Sequence, residues 1–257
     1  MKIIISPAKK MNRDTDSISP KGLPVYLDKT RQIRDWLMTL DYSQLKALWK
    51  CNDKIAGENY QRLLEMDLER SLTPAILSYE GIAYQYMAPG VFSDEALDYV
   101  QEHLRILSGF YGILKPLDGV VPYRLEMQAA AEVNGCRNLY EFWSDSLYKA
   151  LIQDPYVSGE PEETVINLAS AEYSKCIERY LAPGVRYVTV IFGEEKDGKI
   201  RQKATLAKMA RGEMVRFMAE HAVKSPEELK AFSRLGFCWN EARSTPDKLV
   251  FCNNSVS

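Results

Sequence analysis

Residues 104–127 read LRILSGFYGILKPLDGVVPYRLEM, an apolar run with closely spaced glycines that ends in basic and acidic residues. Within it, LSGFYG (107–112) predicts a tight hairpin. Gly109 and Gly112 permit positive φ or a close approach of two backbones, which a side chain forbids. The rest of the chain is interpreted around this bend, because an apolar helical pattern precedes it and a polar segment follows it.

A helix-hairpin-helix element over about 94–118 is the functional interpretation of this bend. Such a module uses a glycine hairpin to point unpaired backbone N–H groups at a phosphate, and Ser108 and Lys115 would add polar contacts. The alternative is a helix that ends before a plain turn. Pro116 also argues against a long second helix here.

The composition is that of an ordinary globular protein. Of the 257 residues, 46% are hydrophobic and 26% are charged, and the net charge is −2. We find no repeat or linker and therefore expect one interleaved α+β domain over residues 1–257, with a mixed sheet and surrounding helices. A near-neutral net charge gives no global basic field, so a nucleic-acid site would need local clustering of charge. No run is long enough to span a bilayer, so we expect no membrane partner.

The cysteines and histidines predict neither disulfides nor a metal site. Five cysteines lie far apart and form no CxxC pair, which favours a reduced, cytoplasmic setting. His103 and His221 are the two histidines, and no ligand cluster surrounds either one. We therefore expect no metal and no cofactor.

Short β-branched runs alternate with amphipathic helical patterns along the chain. The predicted elements are a strand at 2–6, helices within 29–70, a helix from 93 to 107, a helix at 138–152, a strand at 163–169, a hairpin of 188–193 with 199–204, a helix at 206–222 and a hairpin of 236–240 with 248–252.

The predicted helix at 206–222 carries the clearest local charge. Residues 199–218 hold six basic side chains and one acidic side chain, a local charge of +5. Lys208 and Arg211 fall on the helix face opposite its apolar residues. Such a stripe is usually a solvated face, but it becomes a phosphate-binding surface when other basic residues lie beside it. Candidates for that role include Lys9 and Arg124.

Polar residues that follow buried strands are candidates for a pocket. Ser6 and Lys9 follow the first strand, and ligands of α/β sheets bind at such strand ends, although these residues alone favour a basic surface loop. Asn167, Ser170 and Glu172 follow the strand at 163–169. They are interpreted either as a pocket wall or as the start of the next helix.

Arg124 and Glu126 are separated by one apolar residue. They form either a structural salt bridge or a clamp in which the arginine binds a phosphate. We find no catalytic nucleophile motif of a known kind, so the sequence names no catalytic residue.

Five blocks together resemble the YaaA family of bacterial peroxide-stress proteins along nearly the whole chain. The blocks are ISPAK (5–9), NDKIA (52–56), residues 104–127, NLASAEY (167–173) and AKMARGEM (207–214). The resemblance implies a cytosolic protein that limits peroxide damage and is associated with lower free iron. It also implies a single α+β fold with a helix-hairpin-helix element and a basic cleft that binds DNA. In that cleft, Lys9, Lys208 and Arg211 would lie with Arg124.

Three functions remain open at this point. The first is DNA binding in the peroxide response, through backbone phosphates and the glycine bend. The second is an enzyme that acts on a nucleotide or damaged base in a polar pocket of Ser6, Glu126, Asn167, Ser170 and Glu172. The third is direct handling of iron by carboxylates, which the small number of histidines disfavours.

Overall fold

The computed structural model describes residues 1–152 and 163–253. Within these ranges the α-helices are α1 (Leu27–Met38), α2 (Tyr42–Trp49), α3 (Asp53–Leu64), α4 (Ala75–Ser78), α5 (Ile82–Met87), α6 (Asp94–His103), α7 (Leu139–Trp143), α8 (Ser146–Ile152), α9 (Ala171–Glu178) and α10 (Ala204–Glu220). Short 3₁₀ helices occur at Pro89–Val91, Val133–Gly135, Glu228–Ala231 and Glu241–Arg243.

The strands of the same ranges are β1 (Lys2–Ile5), β2 (Lys10–Met11), β3 (Thr73–Pro74), β4 (Tyr79–Glu80), β5 (Leu104–Ser108), β6 (Gly112–Leu114), β7 (Gly119–Val120), β8 (Thr164–Asn167), β9 (Arg186–Lys196), β10 (Lys199–Arg201), β11 (Ser233–Arg234), β12 (Phe237–Trp239) and β13 (Lys248–Asn253). Nine of them form one sheet in the order β11-β12-β13-β9-β8-β1-β5-β6, with β10 paired to β9. The neighbours from β13 to β5 are parallel, whereas the remaining pairs are antiparallel. This mixed sheet with its helices confirms the predicted single α+β domain.

Strand β1 lies in the interior of the sheet, between β8 and β5, and its sequence is suited to burial on both faces. Ile3, Ile4 and Ile5 are at most 1% exposed, as expected for a β-branched run in a parallel sheet. The chain continues from β1 to β5 on one side and later adds β8 on the other side. The carboxyl ends of β1 and β8 therefore flank a point where the strand order reverses, and such points create crevices.

Helix α10 packs very closely on α5. A Cβ on Gly212 would lie 1.9 Å from the carbonyl oxygen of Ala83, so only glycine fits at this contact. Ala210, Met214 and Phe217 are buried on the apolar face that the sequence predicted. This packing places the first turns of α10 beside the loop that precedes α5.

The helix-hairpin-helix prediction is wrong. Helix α6 ends at His103, and the residues that follow form β5, a turn and β6, so residues 94–118 contain a helix and a β-hairpin. Leu104 and Leu107 occur at helical spacing, but they belong to a strand in which all five residues are buried. An apolar run of this length does not distinguish a strand from a helix by periodicity.

The other boundaries differ less from prediction. The predicted helix at 138–152 is split into α7 and α8, because Ser144 has a positive φ of 48° and breaks the helical conformation. The hairpins of β9 with β10 and of β12 with β13 occur as predicted. No helix in the described part of the chain has the length and apolarity that crossing a membrane requires.

Candidate functional site

A cavity of about 410 Å³ opens at the carboxyl ends of β1 and β8. Ser6 follows β1 and Ser170 follows β8, and both line the cavity. The backbone N–H of Ser170 donates to Ser6 Oγ at 2.9 Å, and Ser6 Oγ lies 3.2 Å from Ser170 Oγ. These bonds join the two strand-end loops and fix the floor of the cavity, which we call the edge pocket.

Five basic residues line the edge pocket, namely Lys10 and four candidates from the sequence analysis. Lys9 comes from the loop after β1, Arg124 from the extended segment after β7, and Lys208 and Arg211 from α10. The close packing that Gly212 permits brings the two α10 side chains to this edge. The four residues that the family resemblance implies for one cleft all line this cavity.

Acidic side chains neutralise only part of this charge. Lys9 Nζ lies 2.5 Å from Glu126 Oε1, and Lys10 Nζ lies 2.6 Å from Glu80 Oε1. Of the two alternatives for Arg124 and Glu126, the salt bridge is absent among the described residues, because Glu126 pairs with Lys9. Glu172 instead accepts a hydrogen bond from the backbone N–H of Gln128 at 3.2 Å.

Three cations remain without a protein partner among the described residues: Arg124, Lys208 and Arg211. The Nε atoms of Arg124 and Arg211 are buried and have no hydrogen-bond acceptor in that part of the chain. Burial lowers the pKa of Arg211, but an arginine stays charged at neutral pH after any ordinary reduction. Buried guanidinium nitrogens without an acceptor are costly, so these two atoms are candidates for binding a ligand that supplies acceptors.

The acidic residues of the pocket differ in environment. Burial raises the pKa of the Glu172 carboxyl, and the nearby negative charge of Glu126 raises it further. Glu126 carries a salt bridge and is 24% exposed at its side chain. Glu172 is therefore the carboxyl in this pocket with the environment of an acid–base group.

Comparison with known proteins places the chain in a family. A family model described as Peroxide stress protein YaaA matches residues 1–243. The chain belongs to the YaaA family. The UPF0246 protein of Agathobacter rectalis is 55% identical to this YaaA-family chain over 251 residues, 98% of each chain. The UPF0246 proteins of Desulfitobacterium hafniense and Pediococcus pentosaceus are 56% and 52% identical. The Desulfitobacterium match covers 98% of this chain and 97% of the relative. The Pediococcus match covers 100% of this chain and 99% of the relative.

In this YaaA-family chain, the glycine bend lies behind the edge pocket and is buried. Phe110 and Tyr111 are fully buried, and their backbone N–H groups donate to Ser108 Oγ at 3.2 and 2.9 Å. Gly109 is packed against the backbone of Leu125, where an added Cβ would lie 2.8 Å from the carbonyl oxygen. The N–H groups of Phe110 and Tyr111 are therefore already bonded inside the protein, which argues against the predicted contacts of Ser108, Gly109 and Gly112 with DNA.

Ser108 instead belongs to a buried chain of hydroxyl groups behind the pocket. Its Oγ lies 2.6 Å from the Tyr123 hydroxyl, which lies 2.9 Å from the Tyr79 hydroxyl. Burial raises the pKa of Tyr123 to about 12, so its hydroxyl group stays neutral at physiological pH. Gly112 has a φ of +77° and faces the Trp143 ring, where an added Cβ would lie 2.8 Å from a ring carbon.

Two further predicted residues lie outside the edge pocket. Lys115 lines a separate cavity with Arg105 and Asp118, where its backbone N–H donates to Asp118 Oδ2 at 2.8 Å. Asn167 is buried at the end of β8, and its Oδ1 accepts a hydrogen bond from the N–H of Ala169 at 2.9 Å. Asn167 thus shapes the loop that carries Ser170 and does not line the pocket.

Sequence reasoning missed the wall formed by the start of α5. Gly81, Ala83 and Tyr84 line the edge pocket, and the Tyr84 hydroxyl donates to the carbonyl oxygen of Ser6 at 3.0 Å. Gly81 approaches Ala8 so closely that an added Cβ would lie 2.9 Å from the Ala8 Cβ. A glycine inside an apolar aromatic run was the one signal of this close approach.

Proposed function

We propose that this chain is a DNA-binding protein of the bacterial peroxide response, which acts in the cytoplasm and limits both peroxide damage and intracellular free iron. The edge pocket is its DNA contact. One observation carries the proposal: three cations without protein partners share this concavity with Lys9. The family supplies the setting of peroxide stress.

A phosphate suits this arrangement because it can satisfy several buried donors at once. A guanidinium binds a phosphate through two parallel N–H···O bonds, and the ammonium of Lys208 adds a point charge. The first turn of α9 also begins at the pocket. Ser170 occupies its N-cap position, but the Ser170 side chain makes no capping bond, so the helix end contributes partial positive charge to the pocket.

Duplex binding at several salt concentrations tests the proposal. We expect fluorescence anisotropy of labelled duplexes to show affinity that falls steeply between 50 and 200 mM salt, as phosphate contacts release counterions. Lys208→Glu and Arg211→Glu should each weaken binding about tenfold or more, equally for unrelated sequences, and reduce the salt slope by about 1.

The matched control is Lys54→Glu, which makes the same charge change at an exposed position on α3, away from the edge pocket. It should retain most of the wild-type affinity. Salt-independent binding, or equal loss in the control and pocket variants, would count against the edge pocket as the DNA contact.

Catalysis on a nucleotide or damaged base is the second candidate function for the same pocket. The raised pKa of Glu172, beside cations that can orient a phosphate, favours it. Incubation with nucleotides and with lesion-bearing DNA should then give a product that is lost in Glu172→Gln and in Glu126→Gln. Binding without any product, in wild type and variants alike, leaves the non-enzymatic function.

A further inference from the structure

The edge pocket has three chemically different walls, and a backbone phosphate satisfies only one of them. The first wall consists of the unpartnered cations described above. The second consists of carboxylates, chiefly Glu172 and Glu126. The third is apolar and includes Ile5, Pro7 and Leu168. A ligand that matches the whole concavity must combine an anion, hydrogen-bond donors and an apolar body.

The carboxylates argue most strongly against a phosphate as the whole ligand. A phosphate diester offers no N–H or O–H donor, and a carboxylate beside it would repel it. The Glu172 carboxylate accepts a hydrogen bond from the N–H of Gln128 and lines the pocket, where a ligand can reach it. Carboxylates accept hydrogen bonds from the amino and imino groups of nucleobases and from sugar hydroxyls.

The size of the cavity agrees with this chemistry. Its volume of about 410 Å³ lies in the range of pockets that enclose small organic ligands, about 300–1,000 Å³. A surface that only follows a DNA backbone needs a shallow groove and no enclosed apolar wall. The flat face of a base can cover the apolar side chains, and its edge can reach the carboxylates.

We propose that the edge pocket takes one whole nucleotide, with its phosphate on Arg124, Lys208 and Arg211 and with the base edge read by Glu172. This inference rests on the proposed function, because it places the nucleotide's phosphate on the same cations that would bind a DNA phosphate. The nucleotide comes either from a strand of DNA, by extrusion of one unit from the stack, or from the free pool.

Calorimetric titration of the full chain distinguishes the ligand classes. The probes are inorganic phosphate, the four deoxynucleosides and the four deoxynucleoside 5′-monophosphates. We expect at least one monophosphate to bind about tenfold or more tightly than both phosphate and its own nucleoside. Equal affinity for phosphate and monophosphates, or for nucleosides and monophosphates, would overturn the proposal.

Two variants separate the base contact from the phosphate contact. Lys208→Gln should weaken all four monophosphates by a similar factor. Glu172→Gln keeps an acceptor oxygen for the N–H of Gln128 but replaces one carboxylate oxygen by a donor, so it should change the order of preference among the bases. An unchanged order in a variant with a wild-type melting temperature would refute the role of Glu172.

The source of the nucleotide is found with 2-aminopurine placed in a duplex and in a one-nucleotide bulge. A rise in its fluorescence on binding shows that the base leaves the stack, whereas binding of monophosphates without such a rise assigns the ligand to the free pool. If the protein binds monophosphates but has no affinity for DNA, the proposed DNA-binding function fails and the nucleotide pocket stands. Salt-dependent DNA binding with no preference for monophosphates refutes the nucleotide inference alone.

Discussion

The glycine bend and the edge pocket both look like phosphate sites in sequence, but their donors have different partners. The bend's N–H groups of Phe110 and Tyr111 bind Ser108 Oγ inside the core. The pocket's guanidinium Nε atoms at Arg124 and Arg211 have no partner in the described ranges. Glycines and basic residues therefore indicate a phosphate site only where the fold leaves their donors unsatisfied.

The two regions are nevertheless in contact. Gly109 lies directly against the backbone of residues 125–127, and this segment carries Glu126 and follows Arg124. The bend thus supports one wall of the edge pocket from behind. Its glycines serve packing, and their effect on a ligand is indirect.

The largest expected effect concerns Asp118, which lines the second cavity together with Arg105 and Lys115. Burial raises the pKa of Asp118 to about 6, although the N–H of Lys115 and the two positive charges partly offset the effect. Between about pH 4 and 6 the Asp118 carboxyl therefore holds its proton more tightly in the folded state than in the unfolded chain. The contribution of Asp118 to the free energy of unfolding is therefore greatest below pH 4 and falls as the pH rises through 6.

Urea unfolding of wild type and Asp118→Asn at pH 4 and pH 7 measures this effect. Between pH 4 and pH 7, the free energy of unfolding of wild type should fall by up to about 3 kcal/mol more than that of the variant, since one pKa unit is worth 1.36 kcal/mol. Equal pH dependence in both proteins would mean that Asp118 titrates normally and that this region is less enclosed than the structure indicates.

The second effect is on stability at the bend. Gly109→Ala would place a Cβ 2.8 to 2.9 Å from three backbone atoms, which cannot move as a side chain does. We expect a loss of about 2 kcal/mol in the free energy of unfolding, together with weaker DNA binding through displacement of Arg124 and Glu126. Gly90→Ala is the control, because nothing lies within 4 Å of its added Cβ. Weaker DNA binding at full stability would instead revive direct contact between the bend and DNA.

The third effect is on affinity at the edge pocket. Arg124→Lys keeps the charge but removes the planar fork, so we expect about tenfold weaker binding of duplex DNA. Arg137→Lys, an exposed arginine paired with Glu141, is the matched control and should bind as wild type. A similar affinity for both variants in an anisotropy titration would show that charge alone matters at position 124.

The smallest effect is predicted for Lys115. It was a candidate DNA contact in sequence, but it lines the cavity that Asp118 shares. Lys115→Gln should change DNA affinity by no more than about twofold, whereas Lys208→Gln, an identical change in the edge pocket, should weaken binding severalfold. Equal losses would require the DNA surface to extend across both regions.

The sequence predictions were accurate where a feature depends on neighbouring residues and inaccurate where it depends on residues far apart in the sequence. The central strand and α10 were predicted because a β-branched run and an amphipathic repeat are local signals. The boundary between α6 and β5 was missed because Leu104 and Leu107 have helical spacing, whereas β5 is buried on both faces and shows no alternation. Residues 104–108 form a strand because they pair with β1, which lies about a hundred positions away in the sequence.

For the candidate site, residue chemistry was readable but residue location was not. Lys9, Arg124, Lys208 and Arg211 were chosen for their charge and their family blocks, and all four line the edge pocket. Lys115 was chosen on similar grounds and does not line it. The α5 wall was missed because nothing local marks Tyr84 as part of a pocket.

The order of residues alone determined the elements, the local charge of α10 and the family, since each depends on neighbouring residues or on direct similarity. Tertiary structure decided which donors are satisfied: it buried the glycine bend on Ser108 and left two arginines open at the strand ends. The reason is physical. Hydrogen-bond satisfaction and burial depend on which distant segments pack together, and one sequence position carries no information about its partner across the fold.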